Sequence, residues 1–141
     1  LLLAEAVHAG PSEDSAAAQA LFDTAKTLMA QGHAVEACPK LEESERLDPA
    51  SGTLMNLGKC YELTGRLASA WTTYLSAASS ARKTGNTERA AAADERVKAL
   101  SSRLSNLVVH VAPEADTSRV RITRNGEEVR SPQWDVPIPV D

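Results

Sequence analysis

Large rings are scarce in this chain: one Phe, two Tyr and two Trp bring aromatics to 4% of 141 residues. Cysteines number two and histidines three, too few at ligand spacing for a zinc module. No stretch approaches 18 consecutive apolar residues, so nothing reads as a membrane-crossing helix. Nor is there a basic excess: Lys plus Arg are 15 against 19 Asp plus Glu, for a net charge of -4. That balance excludes a non-specific electrostatic grip on nucleic acid. What the chain does have is alanine, at 24 positions. Alanine is the best helix former and leaves little bulk, so closely packed helices are expected. With 43% apolar and 24% charged residues the composition is globular, not disordered.

Charge is unevenly distributed. Residues 1–50 carry 9 acids and 3 bases, residues 51–100 carry 4 and 7, and residues 101–141 carry 6 and 5. An acidic first third beside a basic middle is either an ordinary solvated surface or a field that steers a charged partner. Residues 1–16 read as a leader. The apolar run Leu1-Leu2-Leu3-Ala4, followed by Val7-His8-Ala9 with a small residue three back and Ala last, fits the tail of a signal peptide whose start has been trimmed. A short helix with one apolar side is the other reading. Cys38 and Cys60 would close a loop of roughly 20 residues in an exported chain, adding about 3 kcal/mol. As buried free thiols they would be equally ordinary on helices.

Internal similarity is the strongest signal. Displacing the sequence by 33 residues brings Leu21 onto Leu54, Ala25 onto Gly58, Leu28 onto Tyr61, Gly32 onto Gly65, Val35 onto Ala68, Ala37 onto Ala70, Leu41 onto Tyr74 and Ser44 onto Ala77. Each unit, about 18–50 and 51–84, reads as a helical hairpin. Residues 17–31 place Leu21, Ala25 and Leu28 on one face, Gly32 turns the chain, and residues 33–47 return with Ala37, Leu41 and Ser44 inward. Pro39 falls early in that return helix, and Asp48-Pro49 ends it. In the second unit Ser51 is expected to cap a helix to Thr64. Gly58 lies in its middle, costing about 1 kcal/mol against Ala. That cost is explained if a neighbouring helix crosses where no β-carbon fits. After Gly65, residues 67–84 return with Ala70, Tyr74 and Ala77 inward. Trp71, one position round, is expected to pack on the next helix, with a partly exposed anchor for a ligand as the alternative. Thr87 is expected to cap a third long helix, 87–105, whose stripe of Ala90, Ala93, Val97, Leu100 and Leu104 covers the open end of the second hairpin.

Leu54, Leu57-Gly58, Tyr61, Gly65, Ala70, Tyr74 and Ala77 resemble the tetratricopeptide-repeat pattern. The first unit carries it as Leu21, Thr24-Ala25, Leu28, Gly32, Ala37, Leu41, Ser44 and Pro49. Three positions of that unit depart from the pattern, Arg82 replaces the final Pro of the second, and the spacing is 33, not the family's usual 34. The resemblance covers residues 17–84, and implies stacked hairpins with a concave face lined by the first helix of each. Asp23, Lys26, Asn56, Lys59 and Glu62 lie on that face without packing duties. By resemblance, Asn56 and Lys59 stand where such repeats hold a carboxylate or an extended peptide backbone.

Beyond residue 106 the period becomes that of strands. Residues 107–111 are a β-branched run ended by Pro113. Residues 119–124 alternate polar and apolar, Asn125-Gly126 supplies a two-residue turn, and residues 127–130 begin the return. Arg121 and Arg124 oppose Glu127 and Glu128 across this hairpin. Val136, Ile138 and Val140 alternate again, with Pro137 and Pro139 confining them to an edge or a docking arm. So few strands are expected to be the start of a small β-sandwich completed beyond Asp141. The tail is similar to the PEGA-type domain. Together, EACPKLEESERLDPASGTLMNLGKCYELTGRLASAW and LVVHV…VRITRNGEEV resemble myxobacterial envelope proteins in which a two-repeat helical unit precedes such a domain.

No constellation for catalysis stands out. His8, His33 and His110 are scattered, Glu42, Glu43 and Glu45 fan out along a helix, and the glycines at 32, 58, 65 and 85 occur singly, unlike a phosphate loop. The expectation is a mainly α fold followed by a short, incomplete β region. Its expected role is a non-catalytic, cofactor-free module that binds another protein or an extended peptide segment, self-association included. The competing expectation is a spacer that presents the β region. A periplasmic or cell-envelope setting follows from the leader and the cysteines, with the cytoplasm as the alternative.

Overall fold

Among the described residues, five helices form where the apolar stripes place them. The computed structural model describes residues 12–141, so the leader reading of residues 1–9 lies outside the described residues. Helix α1 (Glu13–Ala30) is followed by α2 (Ala34–Leu47), α3 (Ser51–Leu63), α4 (Leu67–Lys83) and α5 (Thr87–Ser101). The first helix begins earlier than expected: Ser12 caps it by accepting the Ser15 amide at 3.2 Å, and Glu13 and Asp14 sit in its first turn. Residues 13–16, expected to precede the first helix, are therefore helical.

Three turns share one device. Gly32, Gly65 and Gly85 have φ of 84°, 78° and 72°, a region open to glycine at no steric cost. At each, the amide after the glycine reaches back five residues: His33 to Leu28, Arg66 to Tyr61 and Asn86 to Ala81, at 2.8–2.9 Å. These are the paired bonds of a Schellman ending. The α2–α3 link uses Asp48-Pro49 instead.

Two capping expectations are corrected. Ala50, not Ser51, is the N-cap of α3. Ser51 is the helix's first residue, and its hydroxyl accepts from Arg89 of α5 at 3.0 Å. Asn86, not Thr87, caps α5, its side chain accepting the Arg89 amide at 2.9 Å. That helix ends at Ser101, short of 105. Pro39 is the sixth residue of α2, past the first turn, so it removes the bond that an amide there would make to the Val35 carbonyl.

Sequential helices pack in pairs, and α1, α3 and α5 also touch side by side. Ala25, Ala37, Cys38, Leu41, Leu57, Cys60, Tyr61, Ala70, Tyr74 and Leu100 form the core, with Leu28, Trp71 and Val97 packed against it. Ser44, the serine that departs from the repeat pattern, is 2% exposed; its hydroxyl donates to the Ala18 carbonyl at 2.8 Å and ties α2 to α1. Gly58 is needed where it stands. A β-carbon there would lie 2.7 Å from the Tyr74 ring. Cys38 and Cys60 are at disulfide distance, their α-carbons 5.7 Å apart, within the range that a bridge requires. The bridge joins α2 to α3, and so one hairpin to the next.

Strand content is smaller than the sequence suggests. Strand β1 (Ser105–Leu107) pairs antiparallel with β4 (Ile138–Val140), and β2 (Thr123–Arg124) with β3 (Glu127–Glu128). The run 107–111 does not continue as a strand. The regular ladder ends where Leu107 faces Ile138; beyond it the Val109 carbonyl accepts the Asp135 amide at 2.9 Å, out of that register. Residues 117–119 form a 3-10 turn capped by Asp116, which shortens the expected strand 119–124. The Asn125-Gly126 turn forms as expected, with φ of 52° and 87°. In register Arg124 faces Glu127 and Thr123 faces Glu128; Arg121 has no place in the ladder. The result is two small antiparallel pairs, not a closed barrel.

Candidate functional site

The outer side of α3 forms the floor of a trough, with α1 on one side and α5 on the other. Three depressions run along it. Near the helix starts one of about 310 Å³ is lined by Gln19, Phe22, Asp48, Gly52 and Arg89. It shares Phe22, Gly52 and Arg89 with one of about 450 Å³ that adds Met55, Asn56 and Ala92. Met55 in turn borders a third of about 530 Å³, with Lys59, Glu62, Leu63, Tyr74 and Arg96. Shared walls make these one continuous surface across three helices.

The five residues singled out in the sequence all lie on α1 or α3, in different circumstances. Lys59 is exposed, and makes no ion pair among the described residues. Asn56 donates from its amide nitrogen to the Gly52 carbonyl of its own helix at 2.9 Å. Its side-chain oxygen makes no bond among the described residues, leaving an acceptor for a ligand's N–H. Lys26 places its ammonium 5.4 Å from the centre of the Phe22 ring, a cation–π distance. Asp23 accepts from Gln19 at 3.1 Å.

Glu62 is differently placed. Its carboxylate accepts the Tyr74 hydroxyl at 2.8 Å and the Arg96 Nε at 3.1 Å, with a second bond from Arg96 Nη2. That fork ties α3, α4 and α5 together, and Glu62 serves as a buttress beneath the trough. A matching set joins the preceding helices. The Tyr61 hydroxyl donates to Glu42 at 2.7 Å, and Arg66 lies over the Tyr61 ring at 4.2 Å while reaching Glu42 at 3.4 Å. Burial, then donation to Glu42, pushes the Tyr61 hydroxyl up to about 12. Tyr74 is raised further, by burial first and then by Glu62. Both phenols are held neutral as donors to a carboxylate.

Sequence reading missed the apolar part of the trough. Met55, Lys59 and Leu63 stand four apart on α3, the last 58% exposed, and Phe22 and Ala92 flank them. The spacing was there to be read: it is a second stripe beside the inward one of Leu54, Leu57, Gly58 and Tyr61. A larger cleft of about 750 Å³ lies away from these residues, between the start of α4 and the strand tail. Among the described residues no three His, Cys, Asp or Glu side chains converge as a metal site, and no helix is long and apolar enough to cross a membrane. The chain matches no family model, and no curated protein matches it either.

Proposed function

We propose that the helical layer is a non-catalytic module of tetratricopeptide-repeat type that binds an extended segment of another protein along the α1–α3–α5 trough. One observation carries this reading: a cation (Lys59) and an amide acceptor (Asn56), neither partnered among the described residues, stand beside half-buried Met55 and exposed Leu63 on one helix face. Charge, hydrogen-bond acceptor and apolar contact are the combination that an extended peptide with an acidic or C-terminal carboxylate group uses. Two hairpins make a short trough, so affinity is modest and rests on few side chains. The test is capture of partners from a peptide array, repeated with Lys59→Glu. Reversal of this charge should weaken binding about tenfold or more. Undiminished capture of the same sequences removes the trough from consideration.

The setting proposed is the periplasm or cell envelope, supported by the Cys38–Cys60 pair at bonding distance, since such bridges persist in oxidising compartments. The tail is proposed as the beginning of a PEGA-type β-sandwich, supported by its antiparallel pairs and Asn-Gly turn. A second role is favoured by one contact: the tail is seated on α4, not in the trough, and the helices thereby hold the strands in a set position. On that reading the helical layer is a spacer for the β region.

A further inference from the structure

We propose that the first turn of α4, with Arg66 before it, is a carboxylate-binding site whose ligand, the Asp141 side chain, is supplied by the same chain. The strand tail is thereby latched onto the helical layer through one exchangeable ion. Asp141 Oδ1 accepts the Ala68 amide at 2.6 Å and the Ser69 amide at 3.0 Å, Oδ2 accepts the Ser69 hydroxyl, and Arg66 Nε lies 3.9 Å away. Free amides and the positive end of the dipole make a helix start receptive to an anion. Here a carboxylate 72 residues distant from Ser69 occupies it.

The repeat itself shows why this helix start is open to such a ligand. Helix α1 opens with Glu13 and Asp14, α2 with Glu36 and α5 with Glu88. At α3 the Ala50 amide is bound by Glu45 at 3.0 Å. Helix α4 has no acid in its first turn and no side-chain cap. In the 33-residue register Ser69 replaces Glu36 and Ala68 replaces Val35. The exchange removes a competing negative charge, adds a hydroxyl donor and trims the side chain that would stand in the way. Exposure follows: Val35 is 73% exposed, and Ala68 under the tail is 6% exposed. Burial alone would raise the Asp141 carboxyl; donation from Ser69 and Ala68, with Arg66 beside it, outweighs this and holds it below the usual carboxylate range.

Beyond this contact the tail has little hold. Strand β4 pairs with β1 over three residues, and the 750 Å³ cleft beside it is lined by Arg66, Thr72, Arg124 and Glu127. Release of the carboxylate therefore opens that cleft and frees the start of α4 for another acidic group.

Amide hydrogen exchange on the whole chain tests the latch. Asp141→Asn keeps the shape and removes the charge; exchange at Ala68, Ser69 and Val140 should accelerate about tenfold, as expected for loss of charge-assisted hydrogen bonds. Amides of α1 and α2 should be unchanged. Ser69→Ala, which removes only the hydroxyl donor, should give the same pattern at about threefold, and carries the test alone if the first variant does not fold. Unchanged exchange at Ala68 and Ser69, or acceleration spread equally over α1 and α2, overturns the proposal.

Discussion

Adding one methyl group at Gly58 should destabilise the helical layer even though alanine is the better helix former. The gain in helix propensity is about 1 kcal/mol. Against it, the new β-carbon would lie 2.7, 2.8 and 2.9 Å from Cε1, Cζ and Cδ1 of Tyr74, where carbon pairs prefer about 3.5–4.0 Å. The ring would have to recede by roughly 1 Å to restore that spacing. It has nowhere to go: Tyr74 is 2% exposed, and its hydroxyl is fixed to Glu62, which Arg96 fixes in turn. Overpacking of this kind costs about 1–3 kcal/mol, and a strained hydrogen bond to a charged group about 1.5–3 kcal/mol more. The net expectation for Gly58→Ala is a loss of about 2 kcal/mol, read as a fall in melting temperature of roughly 8–16 °C for a domain of this size. Thermal or chemical denaturation checks it, and a double-mutant cycle identifies the cause. Tyr74→Leu deletes Cε1 and Cζ, two of the three crowded atoms. In that background Gly58→Ala should be neutral or stabilising by up to about 1 kcal/mol. An equal loss in both backgrounds would refute the argument that the ring excludes the β-carbon.

Two further outcomes follow from contacts between the hairpins. Reducing Cys38–Cys60, 22 residues apart, should lower unfolding free energy by about 3 kcal/mol. The comparison is urea denaturation with and without reductant, and an unchanged midpoint would contradict a bridge. The chain has only two tyrosines, so an ultraviolet titration reads both. Tyr61 is held neutral up to about 12 and Tyr74 is raised further. The stability they add is present below the ordinary phenol pKa, near 10, and is lost as pH rises through the folded values. Tyrosinate appearing near pH 10 in a chain still folded would contradict the two phenol–carboxylate contacts.

The helical half was legible because its rules are local and repeated. Gly32 and Gly65 in register, small residues facing small ones and a mid-helix Gly58 are each explained by a turn or a close approach, and the same register in space follows. Capping was misread where a side chain had a distant use: Ser51 is drawn to Arg89, while Glu45 reaches the amide at Ala50. Neither partnership is visible without the packing of α3 against its neighbours. The tail was read too generously for a similar reason. Residues 107–111 have the β-branched composition of a strand, but the ladder with β4 ends at Leu107–Ile138, and composition does not show how far a partner runs in register. Of the proposed contact residues, Glu62 borders the trough. Its role there depends on Arg96, 34 residues on, a pairing that helical periodicity does not reveal.

The two hairpins are thus alike in their packing and unlike in what they leave open. Their shared features, the glycine turns and the small inward residues, lie where helix meets helix and tolerate little change. Some differences are buried, Ser44 against Ala77 and Leu41 against Tyr74; others lie at the ends and on the outer faces. Glu36 against Ser69 decides which second helix accepts the tail, and Lys26 against Lys59 decides where a cation stands covered by a ring or open to solvent. The trough uses the outer side of α3 with α1 and α5; the tail uses the start of α4 and the turn before it. No residue lines both the trough and the tail cleft. Sites built from separate residues respond independently when they share no element with two arrangements. Here links between them are Tyr61, which lies on α3 and lines the tail cleft, and the Tyr74–Glu62–Arg96 set, which spans α4 to the trough floor around the buried Tyr74. A rigid link of that kind fixes the relative position of the two surfaces without passing a change from one to the other.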